Sequence, residues 1–141
     1  MDTPKTNVTH HKPKLLWVED SKDFGESNLR PQLEAHYDIT HCADVATALT
    51  ALETPHAALL TDKSLGTDAM GGYKVAALAR KKYPQMPIIM LSSSPESQYA
   101  IHLETVAAGS RYLDKSGNDV ADTVINIIDQ GLSTGLPGPS N

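Results

Sequence analysis

Four apolar runs in this sequence each give way to a residue that can do chemistry. "HAALLTDKSL" (56–65) stops on Asp62, with Lys63 and Ser64 directly after; "KLLWV" (14–18) is closed by Glu19 and Asp20; "IIML" (88–91) is followed by Ser92; and "SRYL" (110–113) leads through Asp114 to Lys115. If these runs are strands of one sheet, three carboxylates, a hydroxyl and an ammonium meet at one rim. Close carboxylates repel one another unless something positive sits among them. Oxygen donors with no His or Cys beside them suit a hard cation, and Mg²⁺ takes one or two carboxylates with waters and phosphate oxygens. A carboxylate can attack phosphorus and form an acyl phosphate once the charge on the transferring group is neutralised. Asp62 is the expected nucleophile, Glu19 and Asp20 the Mg²⁺ ligands, Lys115 a compact mobile cation and Ser92 a hydroxyl donor.

The elements that would position these groups can be read from periodicity. "KLLWV" suits a buried strand, and the stretch from Ser21 to His36 spaces Phe24, Leu29 and Leu33 for a helix that Asp20 or Ser21 can cap, despite Gly25 and Pro31. "YDITHCA" alternates like a strand, and "DVATALTALE" reads as a short helix capped by Asp44. After strand three a loop with three glycines, "DKSLGTDAMGG", precedes the helix "YKVAALARKKY", with Val75, Leu78 and Ala79 on one face and Pro84 and Pro87 beyond it. "IIML" is the fourth strand, and "PESQYAIHLETVAAG" a helix with Pro in its first turn and Gly109 closing it. "SRYL" is the fifth strand, and "NDVADTVINIIDQG" a last helix facing inward with Val120, Val124, Ile127 and Ile128, with Gly131 as its expected terminator. Five strand–helix pairs in alternation predict a parallel sheet covered on both faces. The fold class is α/β, a flavodoxin-like doubly wound five-stranded sheet with strand order 2-1-3-4-5, whose ligand site lies beyond the C-terminal strand ends.

Composition sets outer bounds. A chain of 141 residues can bury roughly two thirds of its unfolded surface without disulfide staples, and its single Cys, Cys42, forms no internal disulfide. A reducing, cytoplasmic setting is expected. No signal-like or membrane-spanning apolar run is present, and the net charge of −5 with dispersed Lys and Arg offers no basic stripe for a phosphate backbone, so neither membrane nor direct nucleic-acid binding is expected. The expected organisation is a flexible N-terminal arm over 1–13, a domain over 14–131 and a Gly- and Pro-rich flexible tail over 132–141.

Four pieces, "LLWVED", "ALLTD" with "KSL", "PIIMLSS" and "AAGSRYLDK", resemble in order and spacing the signatures of the response regulator receiver domain of two-component signalling, from about Lys14 to Gln130. The resemblance implies that Asp62 accepts a phosphoryl group from a phosphohistidine on a histidine kinase or histidine phosphotransfer protein. It implies Mg²⁺ on Glu19, Asp20 and Asp62 with the backbone carbonyl of Ser64, phosphoryl contacts from Ser92 and Lys115, and Tyr112 as an aromatic switch that follows the Ser92 hydroxyl. The fourth helix, fifth strand and fifth helix would then form a two-state face for a downstream protein partner or for homodimerisation on phosphorylation. Three departures stand out: the loop after Asp62 lacks the usual Pro and is longer before Gly71 and Gly72, Ser116 follows Lys115 in place of Pro, and Thr61 and Asp114 flank the key residues with extra polar groups.

Each residue also has a plainer reading. Asp20 could be a helix cap, Asp62 a solvated loop acid, Ser92 the start of a polar loop, Lys115 a surface lysine and Tyr112 a packed aromatic. Trp17 reads as core and Cys42 as a small buried apolar residue; His10 and His11 read as solvated, and His36, His41, His56 and His102 share no face. The rival functions are a pseudo-receiver that only binds proteins, an FMN protein and an aspartyl-phosphate hydrolase. The acids of "EDSKDFG" would repel an FMN phosphate, and Lys63 and Ser64 stand where a hydrolase carries its second acid. The expectation is a stand-alone signalling phospho-acceptor, with at most self-catalysed phosphorylation and dephosphorylation and no enzyme activity in the usual sense.

Overall fold

A computed structural model of the chain describes residues 12–20, 28–93, 97–117 and 119–134. Their elements are β1 (Lys14–Val18), α1 (Leu29–Glu34), β2 (Asp38–Cys42), α2 (Val45–Ala51), β3 (Ala58–Asp62), α3 (Gly71–Lys82), β4 (Ile88–Ser92), α4 (Ser97–Val106), β5 (Arg111–Asp114) and α5 (Val120–Thr134). The strands form one sheet in the order β2-β1-β3-β4-β5, every neighbouring pair parallel.

The apolar runs become strands because two layers of helices cover them. All five residues of β3 and of β4 are buried, whereas edge strand β2 alternates between exposed and half-buried before Cys42. On one face Leu16, Val18, Leu59, Ile88 and Met90 pack with Ala48 and Leu52 of the α2 region, Val75, Ala76 and Ala79 of α3, and Leu103 of α4. On the other, Leu15, Trp17, Leu60, Ile89 and Leu91 pack with Leu33 of α1 and Val120, Val124 and Ile128 of α5. Successive residues of a central strand thus serve opposite layers, and each fully buried large side chain contributes about 1.5–3 kcal/mol of transfer free energy. Trp17 and Cys42 lie in the core as expected.

Local signals account for most boundaries. Asp44 caps α2, its Oδ1 accepting from the Thr47 backbone N–H and hydroxyl, each at 2.9 Å. Gly109, at φ +82°, carries the chain out of α4 toward β5. Three expectations need correction. Gly131 does not terminate α5, which runs on to Thr134; a Cβ there would stand 2.7 Å from Pro87 Cγ, so the glycine lets the helix approach the segment entering β4. The domain therefore extends past 131. At the other end, Lys12 and Pro13 belong to the fold rather than to a free arm: the Pro13 carbonyl accepts from Asp38 N at 2.9 Å and Lys12 Nζ donates to the Glu34 carbonyl at 2.8 Å. Third, α3 begins at Gly71, two residues before the run "YKVAALARKKY", because its first turn packs on the backbone at the end of β3. Residues 1–11 of the expected arm, 135–141 of the tail, the first turns of helix one and Pro95 lie outside the described residues.

Candidate functional site

The parallel ladders continue one residue past the strands. Glu19 N donates to the Cys42 carbonyl (2.9 Å), Lys63 N to that of Leu91 (3.0 Å) and Lys115 N to that of Ser92 (2.8 Å). The residues at the C-terminal ends of β1, β3, β4 and β5 are thereby held at one level. A cavity of about 240 Å³ opens there, and Asp20, Asp62, Ser64, Ser92 and Lys115 all line it. Glu19 is not part of that lining; it lies buried, 2% exposed, and meets Lys115 from within.

The charges are arranged around one ammonium. Lys115 Nζ stands 2.9 Å from Asp62 Oδ2 and 3.7 Å from Glu19 Oε2, with both carboxylates almost wholly shielded from solvent. Attraction between such groups is stronger than at the surface because less water screens them. Asp20 is half-buried, and its Oδ1 accepts from Gly66 N at 3.0 Å, a use of the carboxylate distinct from capping a helix. Ser92 is 7% exposed at the end of β4. Asp114 turns to its own loop, accepting from Ser116 N at 3.0 Å and Ser116 Oγ at 2.8 Å, and these bonds hold its carboxyl below the usual range. Thr61 is fully buried and its hydroxyl donates to the Asp62 carbonyl at 3.0 Å, so it steadies backbone and does not reach the cavity lining.

The oxygen-only donor set of Asp20, Asp62 and Ser64, with Glu19 behind it, fits a hard cation such as Mg²⁺. Among the described residues no group of three acids, histidines or cysteines forms a ready-made metal cage. Mg²⁺ needs only one or two, the rest of its shell being water and phosphate oxygen.

Tyr112 lies half-buried on β5 opposite Met90, outside the cavity lining, with its ring 6.3 Å from that of Tyr99 on α4. Lys63, next to Asp62, places its ammonium 4.5 Å from the Tyr99 ring centre. Tyr73 donates to the Tyr99 carbonyl at 3.3 Å and stacks edge-on with His102 at 4.4 Å; burial pushes the Tyr73 phenol up to about 12. A chain of aromatic contacts thus runs from the residue after Asp62 to α4.

Some contacts had no signal in the sequence. His41 Nε2 lies 2.8 Å from the Glu19 carbonyl oxygen and, in the Nε2–H tautomer, donates to it. Gly66 reaches Asp20 across 46 positions, and Gly72 packs on Asp62 itself. None of these has a recognisable spacing, because each depends on which loops the sheet brings side by side.

The strand order, the helices on both faces and the Asp–Lys cavity at the strand ends decide the architecture. This chain has the response-regulator receiver fold. Solved structures similar to it over most of both chains include a response regulator receiver protein of Sinorhizobium medicae (22% identity, TM-score 0.70, 86% of this chain and 95% of that one). A CheY-like receiver domain protein of Methanospirillum hungatei matches with 21% identity and a TM-score of 0.73, covering 87% and 98%. The receiver domain of a Pseudomonas aeruginosa sensor histidine kinase, with a magnesium ion coordinated in its active site cleft, matches with 21% identity and a TM-score of 0.69 over 86% and 98%. No protein-family model matches the sequence, and no curated protein does. Among the described residues no helix of this receiver fold is long and apolar enough to cross a membrane.

Proposed function

We propose that the chain is a phospho-accepting receiver of a two-component or phosphorelay system, and that Asp62 is its acceptor. The observation that carries this reading is the 2.9 Å contact between Asp62 and Lys115 in a cavity that Ser92 and Asp20 also line. An Asp62 oxygen attacks the phosphorus of a phosphohistidine, the P–N bond breaks, its electron pair stays on the imidazole, and an acyl phosphate forms. Lys115, already in contact with Asp62, moves to the phosphoryl oxygens and neutralises their charge; Ser92 donates its hydroxyl to the same group. Mg²⁺ held by Glu19, Asp20, Asp62 and the Ser64 carbonyl would supply further positive charge. The new dianionic group biases the face made by α4, β5 and α5, with Ser92 and Tyr112 as the moving parts, toward a downstream protein or a second copy. The donor is a histidine kinase or phosphotransfer protein, the setting is cytoplasmic, and the protein is a signalling acceptor and no enzyme in the usual sense.

The test is intact mass after incubation with a small acyl phosphate or a phosphorylated kinase. Wild type should gain one phosphoryl group, about 80 Da, in Mg²⁺ and none in chelator, and Asp62→Asn should gain none. If wild type takes no phosphoryl group from either donor and binds no beryllofluoride, the protein is a pseudo-receiver that only binds partners.

A further inference from the structure

The loop after Asp62 is one of the places where the sequence departs from the receiver pattern it resembles, and the structure gives it a definite shape. Leu65 is 3% exposed and packs in the core. Leu65 N and Asp68 N each donate to the other's carbonyl at 2.9 Å, closing a tight turn over Gly66 and Thr67. At its foot Asp68 accepts from Met70 N at 3.0 Å and from Lys74 Nζ at 2.7 Å. Gly66 at the tip has φ +62°, and a Cβ built there would meet nothing within 4 Å. Space alone would allow a side chain at this position; the left-handed backbone is what favours glycine. That backbone points the Gly66 N–H at Asp20 Oδ1, 3.0 Å away.

We propose that this loop is a positioning device for Asp20: the Gly66 N–H, held by the 65–68 turn, orients the carboxylate for a divalent cation, so cation binding and loop order strengthen each other. The inference rests on the reading of Asp20 as a Mg²⁺ ligand. A carboxylate that ligates a metal is itself hydrogen-bonded in most sites, and loss of such an outer partner typically costs 10–100-fold in affinity. Here the outer partner is a backbone N–H, so its placement depends on the loop conformation instead of a side-chain type. By reciprocity, a cation that draws Asp20 into one orientation also stabilises the loop that supplies the hydrogen bond.

The experiment is a Mg²⁺ titration by calorimetry on wild type, Gly66→Val and Gly66→Asn, each checked for native secondary structure, with amide hydrogen exchange of the loop followed in parallel. A β-branched residue resists φ +62°, whereas Asn tolerates it and keeps the N–H. Gly66→Val should bind Mg²⁺ about tenfold or more weakly, by the outer-partner effect. Gly66→Asn should bind close to wild type, and Mg²⁺ should slow exchange at the Gly66 amide of the wild-type protein. A folded Gly66→Val that binds Mg²⁺ as tightly as wild type overturns the inference while leaving the receiver reading intact. A wild-type protein that neither binds Mg²⁺ nor accepts a phosphoryl group overturns both.

Discussion

Lys115 ties the carboxylates of two strand ends to one ammonium. It sits between two carboxylates that are buried away from water, Asp62 at 2.9 Å and Glu19 at 3.7 Å. Taking away one member of a buried ion pair leaves the others uncompensated, which costs far more than the pair contributes. Lys115→Met is therefore expected to lower stability by about 3 kcal/mol, read from urea denaturation at neutral pH, besides removing phosphoryl acceptance. A loss under about 1 kcal/mol, the range of an exposed pair, would mean that solvent or another cation already screens these acids. At this scale the sequence was informative about Asp62, Ser92 and Lys115, since a polar group directly after an apolar run has few places to go. It was silent on His41, whose bond to the Glu19 carbonyl joins the ends of adjacent strands.

Among the elements, the passage from β3 into α3 determines where Asp62 sits. Gly72 N donates to the Lys63 carbonyl at 2.8 Å, and a Cβ on Gly72 would fall 2.0 Å from the Asp62 carbonyl oxygen and 3.0 Å from Lys63 Cα. Both obstacles are backbone, which cannot swing aside as a flexible side chain can. Gly72→Ala should cost about 2 kcal/mol or more through overpacking. It should also move the amide resonances of Asp62 and Lys63; an unchanged melting temperature would show that the helix can slide without cost. The foot of the same loop carries an expected pH response. The Lys74 ammonium first, then the Met70 N–H, hold the Asp68 carboxyl below its ordinary range. A group with a depressed folded pKa adds stability above its unfolded value and loses it as pH falls through the folded one. The difference in melting temperature between wild type and Lys74→Met should be present at neutral pH, shrink below about pH 4 and vanish in stronger acid. A difference that persists there would assign the effect of Lys74 to packing.

The molecule as a whole is one sheet with a helical layer on each face, α1 and α5 on one and α2, α3 and α4 on the other. Because central strands send alternate residues into both layers, neither layer can be lost without exposing the strands that the other covers. Unfolding should be a single transition, with Trp17 fluorescence and far-UV circular dichroism tracing the same urea curve. Leu60→Ala, at a fully buried position in β3, should lower stability by 2–5 kcal/mol, as truncation of a buried leucine does. Two separated transitions would show the layers to be independent.

The sequence by itself determined the α/β alternation, the five strands and the polar residue at the end of each site-bearing one, because burial on both faces demands unbroken apolar runs and those runs must end somewhere. Its local signals also specified the Asp44 cap and the turn at Gly109. It misread Gly131 as a stop, because a glycine that ends a helix and one that admits a neighbouring chain look alike until Pro87 is seen against it. Only the tertiary structure decided that Glu19 lies behind the cavity, that Lys115 divides itself between two acids, and that the loop after Asp62 folds back onto Asp20. Those contacts join residues far apart along the chain, and their distances follow from strand register and loop shape, which no local spacing encodes.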